Sequence, residues 1–199
     1  MEVAIIKYNA GNIRSVDFAL QRMGITAEIT NDFEKIRKAD KVIFPGVGEA
    51  STTMDYLKKN KLDVLLKELK QPVLGICLGL QLMCRYSEEN NTKCIGIFDT
   101  DVKLFIPEPA DKQLFKVPQI GWNDITKLKS KLFDESVDNQ FVYFVHSYYA
   151  EICEQTIAES NYVIPFSAAL HKNNFYATQF HPEKSGPVGA RILQNFIEL

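Results

Sequence analysis

The sequence predicts an α/β fold: a mostly parallel sheet covered by helices on both faces, followed by a β-rich second half. Two observations predict it. Short apolar runs alternate with helix-period segments through the first eighty or so residues, and repeated strand–helix units build parallel sheets because each crossover helix returns the next strand in the same direction. Beyond residue 100 the chain changes to short runs rich in β-branched and aromatic residues, separated by turn chemistry, which reads as a series of further strands.

Val3 to Lys7 reads as the first strand, and Ile13 to Met23 as an amphipathic helix stopped by Gly24. Thr26 to Thr30 is the second strand. Asp32 to Lys38 is a short helix that Asn31 or Asp32 can cap, because a short polar side chain accepts from the free amides of the first turn. Lys41 to Phe44 is a strand entering Pro45-Gly46-Val47-Gly48. Thr52 to Leu69 is helical with a break near Asn60, and Pro72 to Cys77 is the next strand. In the second half, Val102 to Phe105, Lys116 to Gly121, Phe141 to Val145, Tyr148 to Ala150, Tyr162 to Ile164, Ala168 to Leu170 and Phe175 to Phe180 read as strands. His171-Lys172-Asn173-Asn174 is a hairpin turn, and Val188 to Ile197 closes the chain as a helix with Pro187 in its first turn. Right-handed crossovers bring the loops that follow the parallel strands to one edge of the sheet, and ligands of open sheets bind at that carboxyl edge. No linker, repeat or low-complexity stretch divides the chain, so residues 1–199 are read as one domain.

At 199 residues, with 46% hydrophobic and 24% charged residues, the chain is long enough for a full core and ordinary in composition. A net charge of −2 gives no general attraction to nucleic acid. The apolar runs fall far short of a membrane span, and Met1 to Lys7 reads as a strand rather than a targeting peptide. A cytoplasmic location is therefore expected, with Cys77, Cys84, Cys94 and Cys153 as thiols. The four cysteines make no Cys-x-x-Cys pair and the three histidines add no ligand spacing, so neither a metal nor a cofactor is expected.

The chemistry gathers around Gly75-Ile76-Cys77-Leu78-Gly79, directly after the apolar Pro72-Val73-Leu74 and before the helical pattern Leu80, Leu82, Met83. Glycines two before and two after a nucleophile suit a sharp strand-to-helix turn, where a side chain would clash. The turn lifts a sulfur to a helix N-terminus, where free amides favour thiolate over thiol. In Gln179-Phe180-His181-Pro182-Glu183-Lys184-Ser185, His181 lies at a strand end and Glu183 just past it. A histidine can take a proton from a cysteine, and a carboxylate can fix its tautomer. Cys77, His181 and Glu183 are thus candidates for nucleophile, base and orienter. Phe44-Pro45-Gly46-Val47-Gly48-Glu49 also follows a strand, so the amides of Gly46 and Val47, with that of Leu78, are candidates to hold an oxyanion; losing one such donor raises the barrier by about 3 kcal/mol. Neither a dinucleotide nor a phosphate-loop glycine pattern occurs. These residues alone fit a thiol hydrolase or a binding module with a decayed site, and the intact set of three argues against decay.

Six motifs in series carry a resemblance. Gly11-Asn12-Ile13-Arg14-Ser15-Val16, Pro45-Gly46-Val47-Gly48, Gly75-Ile76-Cys77-Leu78-Gly79-Leu80-Gln81, Gly121-Trp122-Asn123, Tyr143-Phe144-Val145-His146-Ser147-Tyr148 and Gln179 to Ser185 occur in order. The chain resembles the class I glutamine amidotransferases, and within them the glutaminase subunits of imidazole glycerol phosphate synthases, over essentially its whole length. The resemblance implies a flavodoxin-like sheet with a Cys-His-Glu triad, glutamine as substrate, and ammonia passed to a separate (β/α)8-barrel cyclase. It implies that Gln81, the Ser147-Tyr148 backbone and Glu89 hold the amino-acid end of the substrate, and that Asn12, Trp122, Asn123 and Lys184 lie toward the partner. For Trp122, core packing is the equal reading from the residues. His146 is expected to be a strand-end histidine held by hydrogen bonds and not the base, and His171 to be exposed in its turn. The family commonly opens with Asp-Tyr-Gly or Tyr-Asp, where this chain has Lys7-Tyr8-Asn9-Ala10-Gly11-Asn12. That departure leaves the triad intact and bears on the partner contact and on which synthase is served, since paralogous subunits feed a related synthase of surface-sugar pathways.

Overall fold

The computed structural model describes residues 1–8 and 12–199. The first half follows the predicted alternation: β1 (Val3–Ile6), α1 (Ile13–Arg22), β2 (Ala27–Thr30), α2 (Phe33–Lys38), β3 (Lys41–Gly46), α3 (Ala50–Lys59), α4 (Leu62–Glu68), β4 (Val73–Cys77) and α5 (Leu78–Met83). Asp32 caps α2, its side chain accepting from the amides of Glu34 and Lys35. The expected break near Asn60 separates α3 from α4 at Lys61, whose φ of 57° ends the helical run. The second half supplies β5 (Tyr86–Ser87), β6 (Thr92–Lys93), β7 (Asp101–Leu104), β8 (Gln119–Asp124), β9 (Phe141–His146), β10 (Tyr148–Ala150), β11 (Thr156–Asn161), β12 (Pro165–Lys172), β13 (Phe175–Thr178) and α6 (Gly186–Glu198).

Among the described residues the main sheet runs in the order β2-β1-β3-β4-β13-β12-β10-β7-β5-β6, with β11 beside β12. The first five strands are parallel, and β13 pairs with β4 through Thr178 opposite Ile76. This is the 2-1-3-4-5 order of flavodoxin-like sheets, with β13 as its fifth strand. The antiparallel strands β10 to β12 extend it, and β8 and β9 form a separate ribbon. Period-two alternation explains the layers. On β1, Ala4 and Ile6 pack toward Ile36 of α2 and Met54 and Leu57 of α3, whereas Val3 and Ile5 pack toward Val16 and Leu20 of α1 and Ile192 and Phe196 of α6. No helix among the described residues is long and apolar enough to cross a membrane.

Two strand expectations shift. Tyr162 to Ile164 is not a strand; the chain turns there, with the Tyr162 amide on the Ile164 carbonyl, and the strand is the preceding Thr156–Asn161. Its Glu, Ser and Asn read as turn chemistry, yet β12 supplies the ladder that makes it extended. The strand expected over Lys116 to Gly121 begins only at Gln119 and continues through Trp122 to Asp124. The acidic stretch around Glu88 holds two short strands and a 3₁₀ turn.

Candidate active site

Cys77 stands at the last position of β4, in register with Gly46 at the end of β3. Its φ of 55° and ψ of −108° lie outside the ordinary regions for a side-chain-bearing residue, a strain that persists only where the surroundings fix it. The flanking glycines show what fixes it. A Cβ on Gly79 would lie 2.2 Å from the Phe44 carbonyl oxygen, and one on Gly75 would press on the Met83 sulfur and the Gly79 backbone. The helix α5 therefore sits directly on β3 and β4, and Cys77 makes the turn between them. The helix has only six residues, so the first-turn amides rather than a long macrodipole face the sulfur.

His181 follows β13 and is buried. Its Nδ1 meets Glu183 Oε1 at 2.8 Å, and its other side is turned to Cys77. Burial alone would lower the histidine pKa, but the charge and hydrogen bond of Cys77, followed by those of Glu183, raise it to about 10. The imidazole therefore holds its proton at neutral pH. A short 3₁₀ turn, Pro182–Lys184, carries Glu183, and α6 packs so tightly on it that a Cβ on Gly189 would lie 1.9 Å from the Pro182 carbonyl oxygen.

These residues open onto a cavity of about 300 Å³. Cys77, His181, Leu78 and Val47 line it, with Gln81, Glu89, Ser147, Tyr148 and Lys184. Of the expected oxyanion residues, Val47 and Leu78 reach the wall, while Gly46 stays within β3 behind them. Gly46 has its own reason to be glycine: a Cβ there would lie 2.6 Å from the Tyr8 hydroxyl. Tyr8, buried at the end of β1, donates to the Pro45 carbonyl at 2.5 Å and so pins the strand that leads into the Val47 loop. Burial, and then Cys77, push its phenol pKa up, so it stays a donor.

The residues expected to bind substrate line the cavity with several of their polar groups already committed. The Gln81 amide nitrogen is spent on the Tyr148 carbonyl at 2.9 Å and on Gln179 Oε1 at 3.0 Å, which leaves its oxygen as the group it can offer a ligand. The Tyr148 carbonyl is likewise occupied, accepting also from His146 Nδ1 at 2.7 Å. Glu89 is half-buried; it accepts from the Ala50 amide at the start of α3 at 2.7 Å. Burial pushes its pKa up, the Ala50 bond lowers it, and Glu49 raises it. Two acceptors, Glu89 and the Gln81 oxygen, thus flank one wall of the cavity, an arrangement suited to an ammonium group. His146 is a strand-end histidine held at both ring nitrogens, by Tyr148 and Gln119; burial lowers its pKa to about 4, so it stays neutral. His171 stacks on Tyr176 with 4.1 Å between centroids, so it is only partly exposed.

The residues expected to face a partner differ in exposure and border the turn at 182–185, with Tyr143 between Trp122 and Ser185. Trp122 is 56% exposed, which rules out core packing, and it stands edge-on to Tyr143 beside the exposed Ile120. Asn123 ties itself to the Asn161 carbonyl at 2.8 Å. Lys184 is exposed at the cavity rim. Asn12 does more than face outward: its amide donates to Glu183 Oε1. Gly11 lies outside the described residues. Sequence reasoning assigned no role to Tyr8, Gln179 or Gly189. Gln179 is fully buried and bridges Gln81 and the Cys77 sulfur, the latter at 3.8 Å; its place two residues before His181, on the same strand end, was the available signal. Among the described residues no group of three or more His, Cys, Asp or Glu could hold a metal.

Cys77, His181 and Glu183 come together at a pocket with acceptors on its wall, the groups a thiol-dependent acyl transfer would use. The chain belongs to the class I glutamine amidotransferases, whose family pattern matches residues 4–199. It is similar to the imidazole glycerol phosphate synthase subunit HisH of Bacteroides fragilis strain YCH46, 64% identical over 199 residues and 100% of both chains. To the protein of the same name from Haemophilus influenzae strain Rd it is 45% identical over 199 residues, 100% of this chain and 98% of the other. A solved structure described as a glutamine amidotransferase shares the fold, with a TM-score of 0.71 at 17% identity, covering 100% of this chain and 98% of the other.

Proposed function

We propose that this chain is the glutaminase subunit of an imidazole glycerol phosphate synthase, acting in the cytoplasm as one half of a heterodimer with a (β/α)8-barrel cyclase of histidine biosynthesis. The names of relatives 64% and 45% identical end to end support the pathway. The observation that carries the activity is the Cys77–His181–Glu183 line at the carboxyl edge of the sheet, with His181 held protonated.

In this reading the Cys77 sulfur attacks the carboxamide carbon of glutamine. The amides of Val47 and Leu78 hold the tetrahedral oxygen. Imidazolium at His181 protonates the departing nitrogen, ammonia leaves, and a γ-glutamyl thioester remains on Cys77. Water, deprotonated by the now neutral His181, adds to the thioester; glutamate departs, sulfur takes back its electron pair, and His181 regains its proton. Glu183 holds the ring throughout. The Gln81 oxygen and Glu89 take the substrate ammonium. The chain carries no phosphate-loop pattern for a phosphorylated acceptor, which suits delivery of ammonia to a separate synthase. The test is ammonia release from glutamine by the chain with its cyclase, compared with Cys77→Ala. Loss in the variant is expected, and undiminished release by it would sink the reading.

A further inference from the structure

Asn12 occupies the N-cap position of α1 but does not cap it. Asparagine is favoured at such positions because its oxygen accepts the free amides of the first turn. Here the side chain makes no capping bond and the backbone is left-handed, with φ of 71° and ψ of 0°. The amide nitrogen instead reaches Glu183 Oε1 at 2.5 Å, across 171 residues of chain. That oxygen is also the one that meets His181 Nδ1 at 2.8 Å. The other carboxylate oxygen, Oε2, is buried without a hydrogen-bond partner among the described residues. Both side-chain bonds to Glu183 therefore fall on one oxygen, and Asn12 supplies the one that does not come from the histidine.

We propose that Asn12 is a positioning residue for the reaction. Its amide locks the rotation of the Glu183 carboxylate so that Oε1 stays on Nδ1, and through it keeps the opposite ring nitrogen aimed at Cys77. This rests on reading Cys77, His181 and Glu183 as nucleophile, base and orienter. The residue type fits both demands. Asparagine tolerates the left-handed backbone, and it offers a donor where an acid would set a second negative charge against Glu183. The broken capping rule is what a local conflict resolved in favour of a site looks like.

Two variants separate positioning from mere attachment of α1. Asn12→Gly keeps the left-handed backbone at no steric cost and removes the donor. Asn12→Asp keeps size and backbone but donates only when protonated. Glutamine hydrolysis is measured across pH with the chain in complex with its cyclase, beside melting temperature. Asn12→Gly should lower kcat about tenfold or more while KM for glutamine stays within about twofold, because a hydrogen bond to a charged group is lost and substrate contacts are not. Asn12→Asp should lose most near about pH 8 and recover relative to wild type toward about pH 5, because the adjoining Glu183 carboxylate favours the protonated form of the new carboxyl. Attachment alone predicts lower melting temperatures, an unchanged kcat per folded molecule and no pH-dependent gap between the variants; that result overturns the proposal. So does an Asn12→Gly kcat within twofold of wild type while Cys77→Ala is inactive. An active Cys77→Ala removes the underlying reading instead, and the two failures are thus distinct.

Discussion

Replacing Gly79 by alanine tests how the nucleophile turn is built. A Cβ there would stand 2.2 Å from the Phe44 carbonyl oxygen and 3.3 Å from its carbon. Close carbon–oxygen contacts lie at about 3.3 Å or beyond, so α5 and β3 must part by about 1 Å. The obstacle is backbone, and neither side can yield freely, since Leu80, Leu82 and Met83 of α5 are fully buried. Overpacking of this kind costs about 1–3 kcal/mol, and a backbone clash belongs at the upper end. At about 2–4 °C per kcal/mol for a chain of this size, the melting temperature should fall by about 6–12 °C. The Leu78 amide shifts with the helix, and a displacement of about 1 Å costs about a hundredfold in rate. Thermal melts and glutaminase kinetics on Gly79→Ala read both effects. A melting temperature within about 2 °C of wild type together with a kcat within about twofold would refute the reasoning. Gly24→Ala is the control: nothing lies within 4 Å of its Cβ and its φ is +75°, so only backbone strain of about 1–2 kcal/mol applies and kcat should hold.

Tyr8→Phe removes the hydroxyl that holds the Pro45 carbonyl; kcat should fall about tenfold with about 1 kcal/mol of stability lost, and equal kinetics would show that the Val47 loop is held by other contacts. Trp122→Ala should change the melting temperature little, since the ring is 56% exposed, yet weaken association with the cyclase by about 2 kcal/mol or more, as a buried aromatic anchor does; titration calorimetry decides, and unchanged affinity removes Trp122 from the interface. His181 binds its proton more tightly when folded, with a pKa raised to about 10 from 6.5. Its contribution to stability is therefore whole below about pH 6.5 and is lost as pH rises toward about 10. The urea midpoint of the wild type should fall more steeply over that window than that of His181→Gln, and parallel declines would contradict the assignment.

What the sequence disclosed follows from how local each cause is. The alternation from β1 to α5 was legible because a strand buried on both faces and a helix buried on one write different periods into adjacent residues. The Gly75–Gly79 turn was legible because the close approach of α5 to β3 leaves its trace as glycine at fixed offsets from Cys77. Strand β11 was not, because its polar Glu159, Ser160 and Asn161 are extended only by virtue of β12. Tyr8 and the bond from Asn12 to Glu183 escaped for the same reason: the partners, Pro45 and Glu183, lie 37 and 171 residues away, and no local spacing encodes such contacts. Gln81 lines the pocket, but which end of its amide is left free there depends on Tyr148 and Gln179, far along the chain.

The central claim is that Cys77 forms a covalent γ-glutamyl thioester. Acid quenching of the chain during glutamine turnover, followed by mass spectrometry of its peptides, tests it most directly. The account predicts a glutamyl adduct on the peptide bearing Cys77, and none on those bearing Cys84, Cys94 or Cys153, of which burial pushes the Cys84 and Cys94 thiols up. Sustained turnover with no adduct on Cys77, or with the adduct on another cysteine, would contradict it.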